Sequence, residues 1–349
     1  MDSRRSWGLL SILIALLFVA AAALGVGAFA FNAEASREGP SNERTEIVVA
    51  RGASVTGIGQ QLAREGLIRD ARVFRLAHLF YARDKNLQAG EYQIPAHASV
   101  REIIDMLAEG DALEHSITFP EGITIAGVMR ILRESELLSG EMPPPPPEGA
   151  VLPETYHIQR GMTRSALLKE MRDAHDRALA EIWEMRQPGL PVSTPEELVT
   201  LASIVERETG VAHERPLVAA VMVNRLRRPM RLEMDSTIIY GVCRQFPGRC
   251  RDGRLVDARD QPRVIRASEV ALNTGYNTYR IDGLPPTPIA NPGRAALEAT
   301  ANPAESNAIF FVADGSGGHA FTATIAEHNA AVARWRVIER ERLAAERRN

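Results

Sequence analysis

An α+β protein carried on an N-terminal transmembrane helix is the fold class this sequence predicts, and three observations predict it. A long apolar stretch opens the chain, a strand-cap-helix pattern then repeats, and a series of helical segments follows before a hairpin and a last helix. With 349 residues and 45 % hydrophobic content, the chain has enough material for one large core or two ordinary ones.

The opening stretch runs from Gly8 to Phe31 without an ionisable side chain, long enough to span a bilayer. Arg4 and Arg5 precede it, and Glu34 and Glu38 are among the first charges after it. The positive-inside tendency therefore puts residues 1–7 in the cytoplasm, 8–31 in the membrane and the remainder outside. The alternative is a cleaved signal peptide, since Ala28-Phe29-Ala30 and Ala33-Glu34-Ala35 have the small-x-small form. The length of the apolar run, beyond the roughly 7–15 residues of a signal core, favours a retained anchor.

Residues 32–46 are polar and read as a tether. The repeat begins at 47: Ala53, Ser54, Val55, Ile58, Leu62 and Ala63 recur as Ala98, Ser99, Val100, Ile103, Leu107 and Ala108. Ser54 and Ser99 are expected N-caps, Ser99 with Glu102 has capping-box spacing, and the aliphatic positions fall on one helical stripe. A fainter third copy places Thr124 before Ile125, Val128 and Leu132.

Five prolines, Pro143 to Pro147, forbid a helix and predict an extended surface connection. Helical spacing resumes after Met162. In "STPEELVTLASIVERETG", Thr194 is the expected N-cap, Pro195 the first helical residue, Glu197 the partner in a capping box and Gly210 the stop. "RPLVAAVMVNRLRR" reads as another helix. The segments 308–313 and 319–324 flank "DGSGG" as a β-hairpin, which makes His319 a structural residue and the Phe310-Phe311 pair core. The terminal segment is helical and becomes a charged tail over 338–349.

A net charge of −3 supplies no basic surplus for nucleic acid. No H-E-x-x-H, G-x-S-x-G or glycine-rich phosphate loop opening a helix occurs. The chemistry-bearing candidates are Glu206 and Glu208, which end a nearly all-apolar helical segment. At 100° per residue Glu206 falls beside Ala202 and Val199, and Glu208 beside Leu201 and Ile204, at opposite edges of the apolar face. Partial burial there would raise a carboxyl pKa toward what a general acid needs, and helical phase alone does not choose between them. Acids near a helix end are also commonly solvated or paired with arginine.

Downstream, "VNRL", "LEMDSTIIYG", "NTGYNTY" and "GLPPTPIANPG" concentrate Asn, Asp, Tyr and Thr in turn-rich segments, the chemistry of a sugar-binding cleft. Cys243 and Cys250, the only cysteines, flank Pro247-Gly248. Outside the cytoplasm such a pair predicts a disulfide, with two free thiols as the alternative and no metal-ligand spacing nearby.

The motifs "AGEYQIP", "FPEG", "GAVLPETY", "ASIVERET", "VNRL", "LEMDSTIIYG", "YNTY", "GLPPTPIANPG" and "FVADGSGGHAF", in this order over nearly the whole chain, closely resemble the YceG-like endolytic murein transglycosylases. The resemblance implies a LysM-like module over 47–115 and a catalytic domain over 116–337. Both would lie outside the cytoplasmic membrane, cutting nascent peptidoglycan strands internally with no cofactor or metal. It also implies a penicillin-binding synthase as partner. The family's catalytic Glu falls on Glu206, with Ser203 and Glu208 as supporting residues. Asn224, Arg225, Asp235, Tyr240, Tyr276, Asn277 and Tyr279 are the expected substrate contacts, by residue type and motif position. Structural alternatives are that Asp235 caps a helix starting near Ser236 and that Arg225 pairs with Glu208 or Glu233. The proline run and "CRQFPGRC" depart from the family pattern.

Two competing readings have different consequences. A tethered peptidoglycan-binding module would not need Glu206. A true hydrolase would use Asp235 as a second carboxylate and leave a reducing end.

Overall fold

The computed structural model describes residues 3–346. The chain divides into two compact units: the first comprises 1–115 and 157–162, the second 116–156 and 163–349. It passes from one to the other within β3 (Glu114–Thr118) and back within β4 (Thr155–Gln159).

In the first unit, helix α1 (Ser3–Ala35) contains the apolar stretch, and its portion Ile14–Ala35 is long and apolar enough to cross a membrane. Strand β1 (Thr45–Val49) then pairs antiparallel with β2 (Gly90–Ile94), Thr45 opposite Ile94 and Val49 opposite Gly90. Helices α2 (Val55–Arg64), α3 (Ala71–Tyr81) and α4 (Val100–Glu109) complete the unit. The repeat is structural. Ser54 accepts from the Gly57 N–H, and Ser99 forms a full capping box with Glu102. The matched pairs Ile58 and Ile103, Leu62 and Leu107 are buried in one core with Ile47, Val49, Phe74, Tyr92 and Ile94. Helix α3, which has no counterpart in the repeat, caps on Asp70 and contributes Phe74 and Ala77 to that core.

The second unit begins with α5 (Ile125–Glu134), capped by Thr124 as the third copy of the pattern predicts. Helix α6 (Arg164–Glu184) follows, then α7 (Pro195–Glu208), α8 (Arg215–Leu226), α9 (Asp235–Gln245), the short α10 (Ala267–Val270) and α11 (Arg294–Ala301). Hairpin β7 (Phe310–Ala313) with β8 (His319–Thr322) precedes α12 (Ile325–Glu346), which stays helical to Glu346 within the expected tail, 347–349 lying outside the described residues. His319 is tied structurally: its ring nitrogen and its N–H both lie 2.7 Å from the Glu214 carboxylate. Phe310 and Phe311 are half-buried.

Helix α7 is the centre of this unit. Every residue from Leu198 to Val205 is buried, among α6, α8, α9 and α11, so the one-sided stripe of the sequence understates its surroundings. Thr200 and Ser203, polar residues in that interior, use their hydroxyls on the Glu196 and Thr200 carbonyls. At its start Thr194 accepts from the Glu197 N–H, but the Glu197 carboxylate reaches back to the Ser193 N–H, one residue beyond the expected partner.

Cys243 and Cys250 are disulfide-bonded, at a sequence separation of 7. The bond ties the end of α9 to β5 (Cys250–Arg251), which pairs with β6 (Arg254–Leu255). Closing so short a loop removes unfolded-state entropy worth about 2.5 kcal/mol in the chain-entropy estimate. We expect Cys243→Ser/Cys250→Ser to lower unfolding free energy by up to that amount in denaturant titrations. An unchanged midpoint would show that the loop is held by packing alone.

Candidate active site

Glu206 ends the buried part of α7, and its side chain is only 4 % exposed. One carboxylate oxygen accepts from the Gly293 N–H at 2.9 Å, and the other lies 3.4 Å from Arg215 Nη2. The same Arg215 nitrogen donates to Glu121 at 2.9 Å, so the guanidinium bridges two acids. Arg215 Nε is buried and has no acceptor among the described residues. Burial raises the Glu206 pKa and the Glu121 charge adds to the rise, while the Gly293 N–H and Arg215 oppose it.

Close backbone approach builds this corner. Gly122, in the "FPEG" turn, has φ +73°, and a Cβ there would come within 3.4 Å of Glu206 Cγ and Arg207 Cδ. Its N–H donates to Asn291 O, and the Asn291 N–H donates to Ile123 O. These bonds clamp the "FPEG" turn to the 286–293 segment, which holds Glu206 through the Gly293 N–H. Ser203 accepts from the Ile289 N–H at 3.0 Å, fixing that segment from α7 itself.

Glu208 points elsewhere. Its carboxylate accepts from Ser236 Oγ at 2.6 Å and Ser236 N at 3.4 Å, joining α7 to α9. Burial raises its pKa too. Asp235 is the first residue of α9 and provides no side-chain cap; it accepts from the Tyr279 hydroxyl at 2.9 Å.

The expected substrate contacts separate into two groups. Tyr240 and Tyr276 meet edge to face at 4.9 Å, Tyr276 shares a hydrogen bond with Thr287, and Tyr240 donates to Glu148. Asn224, Arg225 and Asn277 instead spend their polar atoms on the scaffold. Asn224 donates to Ser306 O and Ala308 O, and Asn277, fully buried, donates to Val270 O and Leu272 O. Arg225 donates to three backbone carbonyls and to Glu233, not to Glu208.

Glu148, Glu121, Asn291 and Gly293 are members of the site that the sequence pattern did not single out. Glu148 follows the proline run. It accepts from the Ile125 N–H at the start of α5, from Asn291 Nδ2 and from the Tyr240 hydroxyl. It lines a groove of about 640 Å³ together with Thr124, Tyr240, Arg244, Arg130 and the disulfide. A second groove of about 400 Å³ has Gly122 and Arg207 among its lining residues.

Burial pushes the Glu148 carboxyl up to about 7. A carboxyl raised on folding keeps its proton where the unfolded chain has lost it. Its effect is therefore to lower stability as pH rises from about 4.5 to about 7, by at most about 3 kcal/mol. Glu206 and Glu208, also raised, act in the same direction. We expect Glu148→Gln to flatten part of that decline in unfolding measured across this range. An equal slope in both proteins would show that Glu148 ionises normally.

The YceG-like family model matches residues 47–334. The endolytic murein transglycosylase of Streptococcus pneumoniae serotype 2 is 26 % identical over 333 residues, covering 81 % of this chain and 56 % of that protein. The endolytic murein transglycosylase of Bacillus subtilis is 25 % identical over 325 residues, covering 84 % and 85 %. The chain thus spans little more than half the length of the pneumococcal relative. A crystal structure of a putative YceG-like protein from Listeria monocytogenes is 24 % identical, with a TM-score of 0.48 over 83 % of this chain and 99 % of that one. With the family model spanning both strand-helix repeats, α7 and the hairpin, this chain belongs to the YceG-like family.

Proposed function

We propose that this chain is a membrane-anchored peptidoglycan transglycosylase that cuts glycan strands internally, between N-acetylmuramic acid and N-acetylglucosamine, with Glu206 as its acid and base. The observation that carries the reading is the Glu206 carboxyl itself. It is nearly enclosed, raised by burial, and still held by two donors that favour its charged form.

That balance suits one group doing two jobs. Protonated Glu206 gives its proton to the glycosidic oxygen as the bond to C1 of N-acetylmuramic acid breaks. The 6-hydroxyl of the same sugar attacks C1, and the Glu206 carboxylate takes that hydroxyl's proton. The products are a 1,6-anhydro end and a free 4-hydroxyl on N-acetylglucosamine, with no water consumed. A glycosidase that activates water or forms a covalent intermediate needs a second carboxylate; here the substrate brings its own nucleophile. Gly293 N–H and Arg215 would stabilise the carboxylate midway through the cycle. Tyr240, with Tyr276 against it, would offer a ring face and Glu148 an acceptor to the sugars in the groove. With α1 as anchor and its basic end inside, the second unit and the part of the first unit that follows the anchor would lie outside the cytoplasmic membrane.

The test is the full chain in detergent with uncrosslinked glycan strands, and products read by mass spectrometry. Internal fragments lacking one water support the reading. Hydrated reducing ends would replace it with a hydrolase, and binding without cleavage would leave a binding module.

A further inference from the structure

Helix α3 presents two different faces. Phe74 and Ala77 are fully buried in the first unit's core, whereas Leu76, Leu79 and Phe80 are 43 %, 51 % and 70 % exposed. With Arg72 and Arg75, these residues recur at the three- and four-residue intervals of a single helical stripe, and Arg83 follows just beyond the helix, after its C-cap Ala82. Arg72, Arg75 and Arg83 are exposed, and no carboxylate pairs with them among the described residues. The neighbouring acids are Asp70, which caps the helix, and Asp84, next to Arg83.

The same helix is fastened to the end of the anchor. Phe31 packs against Phe80 at 5.4 Å and stacks on Tyr81 at 6.4 Å, and the Tyr81 hydroxyl donates to Asn32 at 2.8 Å. Three residues on, Ala35 is fully buried in the first unit's core. Asn32 is the first polar side chain after the apolar stretch, so these contacts hold the C-terminal end of α3 at the level where the anchor leaves hydrocarbon.

The geometry points to the outer face of α3 as a membrane-surface contact that takes anionic phospholipid from the bilayer that α1 spans. Leu76, Leu79 and Phe80 enter the boundary between headgroups and acyl chains, and Arg72, Arg75 and Arg83 meet the phosphates. An apolar row flanked by arginines is the composition that lies in a membrane interface, and each basic residue near an anionic surface adds attraction. Three apolar side chains fall well short of the roughly 800 Å² per partner that a stable protein interface buries, which favours lipid over a second copy. The contact would hold the first unit down on the membrane instead of leaving it to swing from its anchor. It rests on the reading of α1 as a spanning helix and is independent of the chemistry at Glu206.

The experiment uses the full chain in vesicles of phosphatidylethanolamine and phosphatidylglycerol, its two native cysteines left in their disulfide. An environment-sensitive fluorophore is attached at Leu76→Cys or Leu79→Cys, with Val48→Cys on β1 as the comparison site. The expected result is blue-shifted emission at Leu76→Cys and Leu79→Cys, several-fold more strongly quenched by brominated acyl chains than at Val48→Cys. Adding Arg72→Glu and Arg75→Glu should reverse the shift. Water-like, unquenched emission from protein that resists alkaline carbonate extraction would overturn the α3 contact while leaving the anchor intact. Extraction by carbonate would remove the anchor and the inference with it. A blue shift that follows protein density in the vesicle and ignores bromination would assign the face to a second copy.

Discussion

Glu206→Gln is expected to cut glycan strands about 10²–10⁴-fold more slowly than the unsubstituted chain, the usual worth of a positioned general acid or base. The amide keeps the shape of the side chain, and its oxygen can still accept from the Gly293 N–H. It can neither give a proton to the glycosidic oxygen nor take one from the 6-hydroxyl. Folding should be unharmed, because a neutral amide relieves the burial that already disfavours the Glu206 carboxylate. Strand binding should persist as well. The parallel measurement is Glu208→Gln, whose oxygen can go on accepting from Ser236 and which should lose far less. Turnover by muropeptide chromatography, alongside circular dichroism of both variants, decides the matter. Equal losses at the two positions would move the acid to Glu208 or to the pair, and full activity of Glu206→Gln would end the single-acid scheme.

What could be read from the sequence, and what could not, follows the range of the interactions. Ser54, Ser99 and Thr124 were legible as caps because each bonds a backbone N–H three residues away. Even there Glu197 chose Ser193 over Thr194, a one-residue slip that spacing rules do not resolve. The partners of Glu206 are another matter: Glu121 and Gly293 lie 85 and 87 residues from it along the chain, on irregular segments with no periodicity to announce them. Glu148 was hidden beside a proline run that reads as surface connection, yet it closes the start of α5. Helix α3 had local signals as well, the N-cap Asp70 and the buried Phe74 and Ala77 three residues apart, but it falls outside the repeat that organises the rest of the first unit.

The largest loss of stability is expected at Arg225, a residue whose type and motif suggested sugar. Its side chain is 8 % exposed, and its Nε donates to Ile309 O at 2.6 Å. Nη1 donates to Arg231 O, Leu232 O and Glu233. The guanidinium thus ties the end of α8 to the turn before α9 and to the strand edge at β7, and it sits over the Phe310 ring at 5.2 Å. Arg225→Ala would strand three carbonyls whose donors are otherwise gone, at a cost of about 3–5 kcal/mol by analogy with broken buried charge pairs. Arg225→Lys should recover only part, since one ammonium cannot reach carbonyls arranged for a planar fork. Denaturant unfolding of both variants measures the cost. Glycan turnover, normalised to the folded fraction, measures any role at the substrate. A large drop in stability with unchanged normalised turnover makes Arg225 a brace for the second unit. Full stability with weakened strand binding would restore it to the cleft, and would require its donors to leave those carbonyls when glycan binds.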